Sequence, residues 1–208
     1  MKILAHRGYW LERQEKNGFA AFERAWSHDY GIETDLRDLN GTVVVSHDPP
    51  QVGARTFESL LEAYRERGHE TLLALNIKAD GLQGAVALLL AKYQVRNYFV
   101  FDMSVPDSLH YLRAEMCVFA RLSEYEPETP LLDRATGVWL DAFESEWWTE
   151  STIRALNARG KSVAIVSPEL HGRPHEAAWE ALLPLGDIGN AIMLCTDFPE
   201  EADRYFGR

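Results

Sequence analysis

Short apolar runs recur along the whole chain and alternate with amphipathic segments. Runs of this length bounded by turn residues are typical of buried strands, and the segments between them place apolar residues at helical spacing. Such an alternation predicts βα units, which assemble into parallel sheets. Eight strands are predicted at 3–6, 31–36, 72–78, 98–101, 116–121, 138–141, 162–167 and 192–196.

Helices are predicted between most of these strands, at 19–26, 57–67, 82–93, 108–112, 152–159 and 177–183. Thr149 or Ser151 can cap one of them, and Gly160 can end it. Eight βα units favour a closed (β/α)8 TIM barrel over an open doubly wound sheet, so we expect an α/β fold. The chain shows no low-complexity linker or internal repeat, which predicts one domain over residues 1–208.

One additional element interrupts the regular alternation after the second strand. Asn40-Gly41 stands between two β-like runs, and this dipeptide favours a two-residue hairpin turn. We therefore expect a short antiparallel strand at 42–46, with no large insertion domain.

The charge balance restricts the partners of the chain. It has 21 basic and 32 acidic residues, a formal charge of -11, whereas nucleic acids select proteins of the opposite sign. Nucleic acid is therefore not an expected partner. The longest apolar run, 85–91, is far shorter than the ~20 residues of a membrane-spanning helix. With no signal-peptide pattern at the amino terminus, the sequence predicts a cytoplasmic protein without integral membrane association.

Ionisable residues appear where the predicted strands end, which is where barrel enzymes place their active sites. His6 and Arg7 end the first strand, and His47 ends the hairpin. Residues two apart in a strand point to the same side. Glu33 and Asp35 therefore share one face of the second strand, and the same rule applies to Asn76 and Lys78 in the third.

Each residue type suits a particular chemistry. Two adjacent carboxylates repel each other, and a divalent cation with oxygen ligands, Mg²⁺ or Ca²⁺, would relieve this repulsion. Alternatively, Glu33 and Asp35 would form ion pairs with Arg24 or Arg37 and bind no cation. His47 beside Asp48 suits proton transfer near neutral pH, although a lone pair of this kind also occurs in ordinary loops.

Taken together, these motifs resemble the opening signature of the glycerophosphodiester phosphodiesterase family. The matching stretches are Ala-His-Arg-Gly at 5–8, Asn17 followed by Phe-Ala-Ala-Phe, Gly-Ile-Glu-Thr-Asp at 31–35, Val-Val-Ser-His-Asp at 44–48, and Thr-Asp-Phe-Pro at 196–199. The resemblance implies a metal-dependent phosphoric diester hydrolase of lipid metabolism. It also implies that His6 and His47 act as general acid and base, and that Glu33 and Asp35 bind the cation.

The chain departs from the family pattern at two positions. Lys16 and Asn76 stand where the family usually has acids. Asn76 can still ligate through its amide oxygen, so we expect it as a third, weak metal ligand. Arg7 and Lys78 are the expected partners of the phosphate oxygens. Arg121 and Asp141 are predicted to complete the substrate site from later strand ends.

Three functions remain open at this point. The first is hydrolysis of a small glycerophosphodiester-like substrate with two histidines and a divalent metal. The second is a phospholipase C-like cleavage through a cyclic phosphate. The third is a noncatalytic barrel that binds a phosphorylated ligand, which the presence of Lys16 and Asn76 favours.

Overall fold

Alternating strands and helices build the chain, whose computed structural model describes residues 1–66 and 70–207. The α/β class is confirmed. The strands are β1 (Lys2–His6), β2 (Gly31–Leu39), β3 (Thr42–Val45), β4 (Leu73–Ile77), β5 (Tyr98–Phe101), β6 (Phe119–Leu122), β7 (Gly137–Leu140), β8 (Ser162–Val166) and β9 (Ile192–Thr196).

The parallel strands follow the order β5-β4-β2-β1-β9-β8-β7-β6. The two end strands meet at one parallel bridge between Val100 and Val118, where Val100 N donates to Cys117 O at 2.8 Å. This bridge closes the sheet, so the predicted barrel is confirmed. The strand predicted at 116–121 is shorter than expected, because its first residues have only this bridge to a neighbour and regular pairing begins at Phe119.

The predicted hairpin is also confirmed. Strand β3 pairs antiparallel with the outer half of β2, which is why β2 continues to Leu39. Asn40 and Gly41 have φ values of 52° and 82°, and a type I′ turn requires positive φ at both positions.

The six predicted helices are confirmed, with boundaries that differ by a few residues. The predicted last residue of the second helix, Arg67, lies outside the described residues. Two short helices, at Pro130–Arg134 and Pro199–Phe206, were not predicted, because each has few apolar residues from which to read a period. The helices are α1 (Phe19–Ser27), α2 (Phe57–Glu66), α3 (Gln83–Lys92), α4 (Val105–Arg113), α5 (Pro130–Arg134), α6 (Glu150–Ala158), α7 (Glu176–Leu182) and α8 (Pro199–Phe206).

Local signals set several of these boundaries. The Thr149 side chain accepts a hydrogen bond from Thr152 N and caps α6, as predicted. Pro199 begins α8, where its missing N–H costs no helical hydrogen bond. In the described residues, no helix has both the length and the apolar character needed to cross a bilayer.

An apolar cluster fills the inside of the barrel. Its aromatic rings stack in pairs: Phe99 on Phe119 with ring centroids 3.8 Å apart, and Phe101 on Trp139 at 3.9 Å. The cluster consists of Leu4, Ala74, Phe99, Phe101, Phe119, Trp139, Ala164, Val166, Met193 and Cys195. The interior is therefore a packed core, and any site must lie above it at one mouth of the barrel.

Gly137 tests how tightly this core is packed. A Cβ added at Gly137 would lie 2.5 Å from the Phe119 ring and 2.7 Å from Ser162 O. Because neither the ring nor the backbone can yield easily, we expect Gly137→Ala to lower the free energy of unfolding in urea by ~1–3 kcal/mol.

Gly84 provides the matched control, because a Cβ added there meets no atom within 4 Å. It is the second residue of α3, where alanine still favours the helix over glycine, so Gly84→Ala should raise the free energy of unfolding by up to ~1 kcal/mol. Equal effects of the two substitutions would contradict the packing described here.

Candidate active site

A polar layer lies directly above the apolar cluster, at the carboxyl ends of the strands. Side chains alternate between the two faces of a strand, so residues two positions beyond the inner cluster also face the barrel axis. This rule relates Leu4 to His6, Ala74 to Asn76, Phe119 to Arg121, Trp139 to Asp141 and Cys195 to Asp197. The barrel therefore gathers these polar side chains at one mouth.

His6 forms a dyad with Asp197, which follows β9. His6 Nδ1 lies 2.6 Å from Asp197 Oδ1, and both side chains are 14% exposed. Lys16 Nζ donates to Asp197 Oδ2 at 3.2 Å. Burial raises the pKa of Asp197, but the His6 hydrogen bond and the charges of His6 and Lys16 outweigh it, so this pKa is lowered overall. Asp197 is thus an ionised acceptor, which makes Nδ1 the donor, and Nε2 forms no hydrogen bond with the described residues.

Asp35, on β2, is fully buried, and three neighbouring side chains lie close to it. Asn17 Nδ2 donates to its Oδ2 at 2.9 Å, and Asn17 Oδ1 accepts from Thr34. Arg7 Nε lies 3.0 Å from the same carboxylate without a well-aligned hydrogen bond. These contacts surround the buried carboxylate with donors and positive charge, which offsets the cost of burying it.

Glu33 is the second buried acid and pairs in register with His6. Arg7 N donates to its Oε2 at 3.2 Å, and His6 Nε2 lies 3.9 Å from the same oxygen. Burial and the nearby Asp35 charge raise the pKa of Glu33 to about 7, against the opposing charges of His6, Arg7 and Lys78. The repulsion between adjacent carboxylates expected from the sequence is therefore present.

Among the described residues, two buried side-chain oxygens of this layer have no hydrogen-bond partner. They are Asp35 Oδ1 and Asn76 Oδ1, both buried, and their residues are paired neighbours on β2 and β4. Lys78 Nζ lies 3.9 Å from Asp35 Oδ1 but bonds instead to Asp102 at 2.9 Å. Unsatisfied buried acceptors indicate an absent donor or cation.

Glu33, Asp35 and Asn76 offer the oxygen ligands that a divalent metal prefers. Among residues 1–66 and 70–207, no group of three or more His, Cys, Asp or Glu side chains is arranged to hold a metal ion. Glu33, Asp35 and the Asn76 amide oxygen nevertheless fit Mg²⁺ or Ca²⁺, which take oxygen ligands and complete their shells with water. Because Arg7 and Lys78 already offset the charge of Asp35, the affinity for such a cation should be low.

His47 lies on the loop that leaves the hairpin. Ser46 N donates to the backbone oxygen of Asp35 at 3.0 Å, so the backbone next to His47 is held against β2. The His47 side chain is 44% exposed, and its Nδ1 lies 2.9 Å from the exposed Asp48 carboxylate. In the described part of the chain, no hydrogen bond or ion pair joins His47 to His6.

The predicted substrate-site residues Arg121 and Asp141 lie in the polar layer above the apolar cluster. Each forms hydrogen bonds with residues outside the predicted site. Arg121 donates to Asp102 and to Glu126, and Asp102 also accepts from Lys78. Asp141 instead bonds to His171. A cavity of about 290 Å³ opens beside Asp102 and Arg121.

Asn17, Asp102, Asp197 and His171 were not among the predicted site residues. Asn17 and Asp197 stood within stretches that carry the family resemblance, and these were the available signals. Asp102 and His171 lie on loops without a diagnostic pattern, so only the folded chain shows their contacts.

The pKa of Glu33 predicts how stability changes with pH. A carboxyl group whose pKa is raised by folding stabilises the folded state below its unfolded pKa, and this contribution is lost as pH rises. Without added metal, the loss should run from about pH 4.5 to 7, because the folded-state pKa is about 7. Glu33→Gln should therefore raise the free energy of unfolding at pH 8 by up to ~3 kcal/mol.

Urea unfolding in EDTA at pH 5 and pH 8 checks this prediction. The gain should shrink at pH 5, and the exposed control Glu180→Gln should show no such pH dependence. A gain of the same size at both pH values would argue against a protonated Glu33.

Comparison with family models and with curated proteins finds no match. Solved structures do match over nearly the whole chain. The glycerophosphodiester phosphodiesterase of Agrobacterium tumefaciens aligns with a TM-score of 0.68 and 17% identity, covering 99% of this chain and 98% of that one. A glycerophosphoryl diester phosphodiesterase of Parabacteroides distasonis gives 0.67 and 18%, covering 99% and 86%.

A third matching structure is a Ca²⁺-dependent phosphatidylinositol-specific phospholipase C of Streptomyces antibioticus. It aligns with a TM-score of 0.62 and 12% identity, covering 99% of this chain and 95% of that one. Identities this low establish the architecture alone. The chain therefore has the same barrel fold as these phosphodiesterases.

Proposed function

We propose that the chain is a divergent member of the glycerophosphodiester phosphodiesterase family, a phosphoric diester hydrolase acting on a small glycerophosphodiester-like substrate. The observation that carries this proposal is the His6–Asp197 dyad, joined at 2.6 Å at the same mouth of the barrel as the unpartnered buried oxygens of Asp35 and Asn76. The barrel fold and the order of the sequence motifs support it.

Two histidines suit the proton transfers of such a hydrolysis. Asp197 fixes the His6 tautomer through Nδ1, so Nε2 can take a proton from the water that attacks phosphorus, and Asp197 stabilises the imidazolium. His47 gives a proton to the leaving alkoxide as the P–O bond breaks. General acid–base catalysis of this kind contributes ~10²–10⁴ in rate for each group.

Cationic side chains supply the charge that the phosphate needs. Arg7 and Lys78 stand next to Asp35 and suit the nonbridging oxygens, Arg7 through its planar guanidinium and Lys78 as a point charge. Arg121 and Asp141 would contact the substrate further along the mouth. A Mg²⁺ or Ca²⁺ ion held by Glu33, Asp35 and Asn76 would add positive charge next to the phosphoryl oxygens.

Loss of either histidine should abolish most of the activity. We expect His6→Ala and His47→Ala to lower kcat by ~100-fold or more, and Asp197→Asn to lower it by at least ~10-fold because the tautomer is no longer fixed. Hydrolysis of glycerophosphocholine and of bis(p-nitrophenyl) phosphate, with Mg²⁺, Ca²⁺ or EDTA, measures these effects. His110→Ala, an exposed change on α4, should leave the rates unchanged.

Three outcomes distinguish the alternative functions. Activity that persists in the double variant His6→Ala, His47→Ala would exclude the two-histidine mechanism. A cyclic phosphate detected by ³¹P NMR would instead favour the phospholipase C-like route. Tight binding of an intact phosphodiester without hydrolysis would favour a noncatalytic barrel.

A substitution of Asn76 tests metal binding without a measurement of activity. Asn76→Asp adds a third carboxylate of nearly the same shape beside Asp35, so the affinity for Mg²⁺ and Ca²⁺ should rise by ~10-fold or more. Isothermal titration calorimetry with each metal alone measures it. Asn40→Asp, which preserves the turn, is the control, and equal affinities for the two variants would argue against a cation at this position.

A further inference from the structure

Glu169 joins the loop after β8 to the turn that carries Asp197. The two strands are neighbours in the sheet, so the loops that follow them lie side by side. Glu169 Oε1 accepts from Thr196 Oγ1 and from Asp197 N, the latter at 3.1 Å, and its Oε2 accepts from Ser167 Oγ. Ser167 and Thr196 are both fully buried. One carboxylate therefore ties the end of β8 to the end of β9.

Neighbouring N–H groups fix the direction of these hydrogen bonds. Trp179 Nε1 donates to Ser167 Oγ at 2.8 Å, and Phe198 N donates to Thr196 Oγ1 at 3.0 Å. Because an indole or backbone N–H can only donate, each hydroxyl oxygen accepts there and gives its own proton to Glu169. Two hydroxyls and one backbone N–H are thus directed at a single carboxylate, whose oxygens can accept all three.

The turn held in this way carries the acid of the His6–Asp197 dyad. Asp197 Oδ1 lies 2.6 Å from His6 Nδ1, while Glu169 accepts from the backbone N–H of the same residue. A partly buried N–H that loses its acceptor is costly, so removal of the Glu169 carboxylate would favour a rearranged turn. The Asp197 carboxylate would move with its backbone, and His6 Nδ1 would lose its aligned acceptor.

We infer that Glu169 is a positioning residue, which holds the Asp197 turn so that Asp197 fixes the tautomer of His6. The inference rests on the proposed function and adds a residue that acts on proton transfer through Asp197. Both Glu169 oxygens already accept hydrogen bonds from the protein itself. A carboxylate would also repel the anionic phosphate, which favours this role over a direct contact with the substrate.

The tautomer of His6 tests the inference without a measurement of activity. ¹⁵N NMR at a pH where the imidazole is neutral distinguishes the Nδ1–H from the Nε2–H form, and the His6 signals are those absent from His6→Ala. The Nδ1–H form should dominate in the unmodified protein, because Asp197 accepts from Nδ1. In Glu169→Ala its share should fall at least ~twofold, since the hydrogen bond that selects it is lost.

Two further variants separate the reach of the Glu169 side chain from its charge. Glu169→Gln keeps an acceptor oxygen for Thr196 and Asp197 N, and its amide N–H can donate to Ser167 Oγ, so it should retain the Nδ1–H form. Glu169→Asp keeps the charge but is one methylene shorter. It cannot hold Ser167 and Asp197 N together, so it should behave like Glu169→Ala.

Kinetics show whether Glu169 acts through Asp197. Glu169→Ala should lower kcat for glycerophosphocholine ~10-fold with little change in KM, because a misplaced dyad slows the chemical step and leaves substrate binding intact. In the Asp197→Asn background the same substitution should lower kcat no more than about twofold further, since residues that act in series are not additive. Glu180→Ala, an exposed change on α7, is the matched control and should alter neither the rates nor the tautomer.

Several results would overturn the inference. These are an unchanged His6 tautomer in folded Glu169→Ala or Glu169→Asp, a Glu169→Gln variant as impaired as Glu169→Ala, and additive losses of kcat in the double variant. Circular dichroism shows which variants are folded, and Glu169→Asp decides the question if Glu169→Ala is not. Absence of hydrolysis by the unmodified protein would refute the proposed function, whereas the tautomer would still decide the role of Glu169.

Discussion

The closed parallel barrel imposes one constraint on which the rest of the structure depends: every inward-facing side chain must be accommodated around one axis. An eight-stranded barrel has room for packed side chains and little more. Phe99, Phe119 and Trp139 fill the middle of this space. Polar side chains two residues further along the strands therefore face the mouth, where they meet each other and the solvent.

Burial then determines the electrostatics of the mouth. Glu33 and Asp35 are both buried, and two adjacent carboxylates in a poorly solvated site cannot both remain charged without compensation. Here Glu33 has a pKa of about 7, while Asp35 is stabilised by Asn17 and Arg7. The protonation of such acids changes when a cation or a phosphate binds nearby. This is one reason why acids with shifted pKa values cluster at functional sites.

The local cations matter because the chain as a whole is acidic, with a formal charge of -11. Lys78 and Arg121 share Asp102, and Lys16 is paired with Asp197. An anionic substrate would therefore be attracted by a few positioned side chains against the mean field of the protein. Lys16 stands where the resemblance leads one to expect an acid. It forms an ion pair with Asp197, the carboxylate that orients His6.

The sequence by itself determined the barrel, the hairpin at Asn40-Gly41 and the end of the barrel where Glu33, Asp35 and Asn76 meet. These features follow from hydrophobic period and turn chemistry, which are encoded within a few consecutive residues. Only the tertiary structure decided the pairs, such as His6 with Asp197, 191 residues away, and His171 with Asp141. Hydrogen bonds between such distant residues depend on strand register and barrel closure, and these depend on packing of the whole chain.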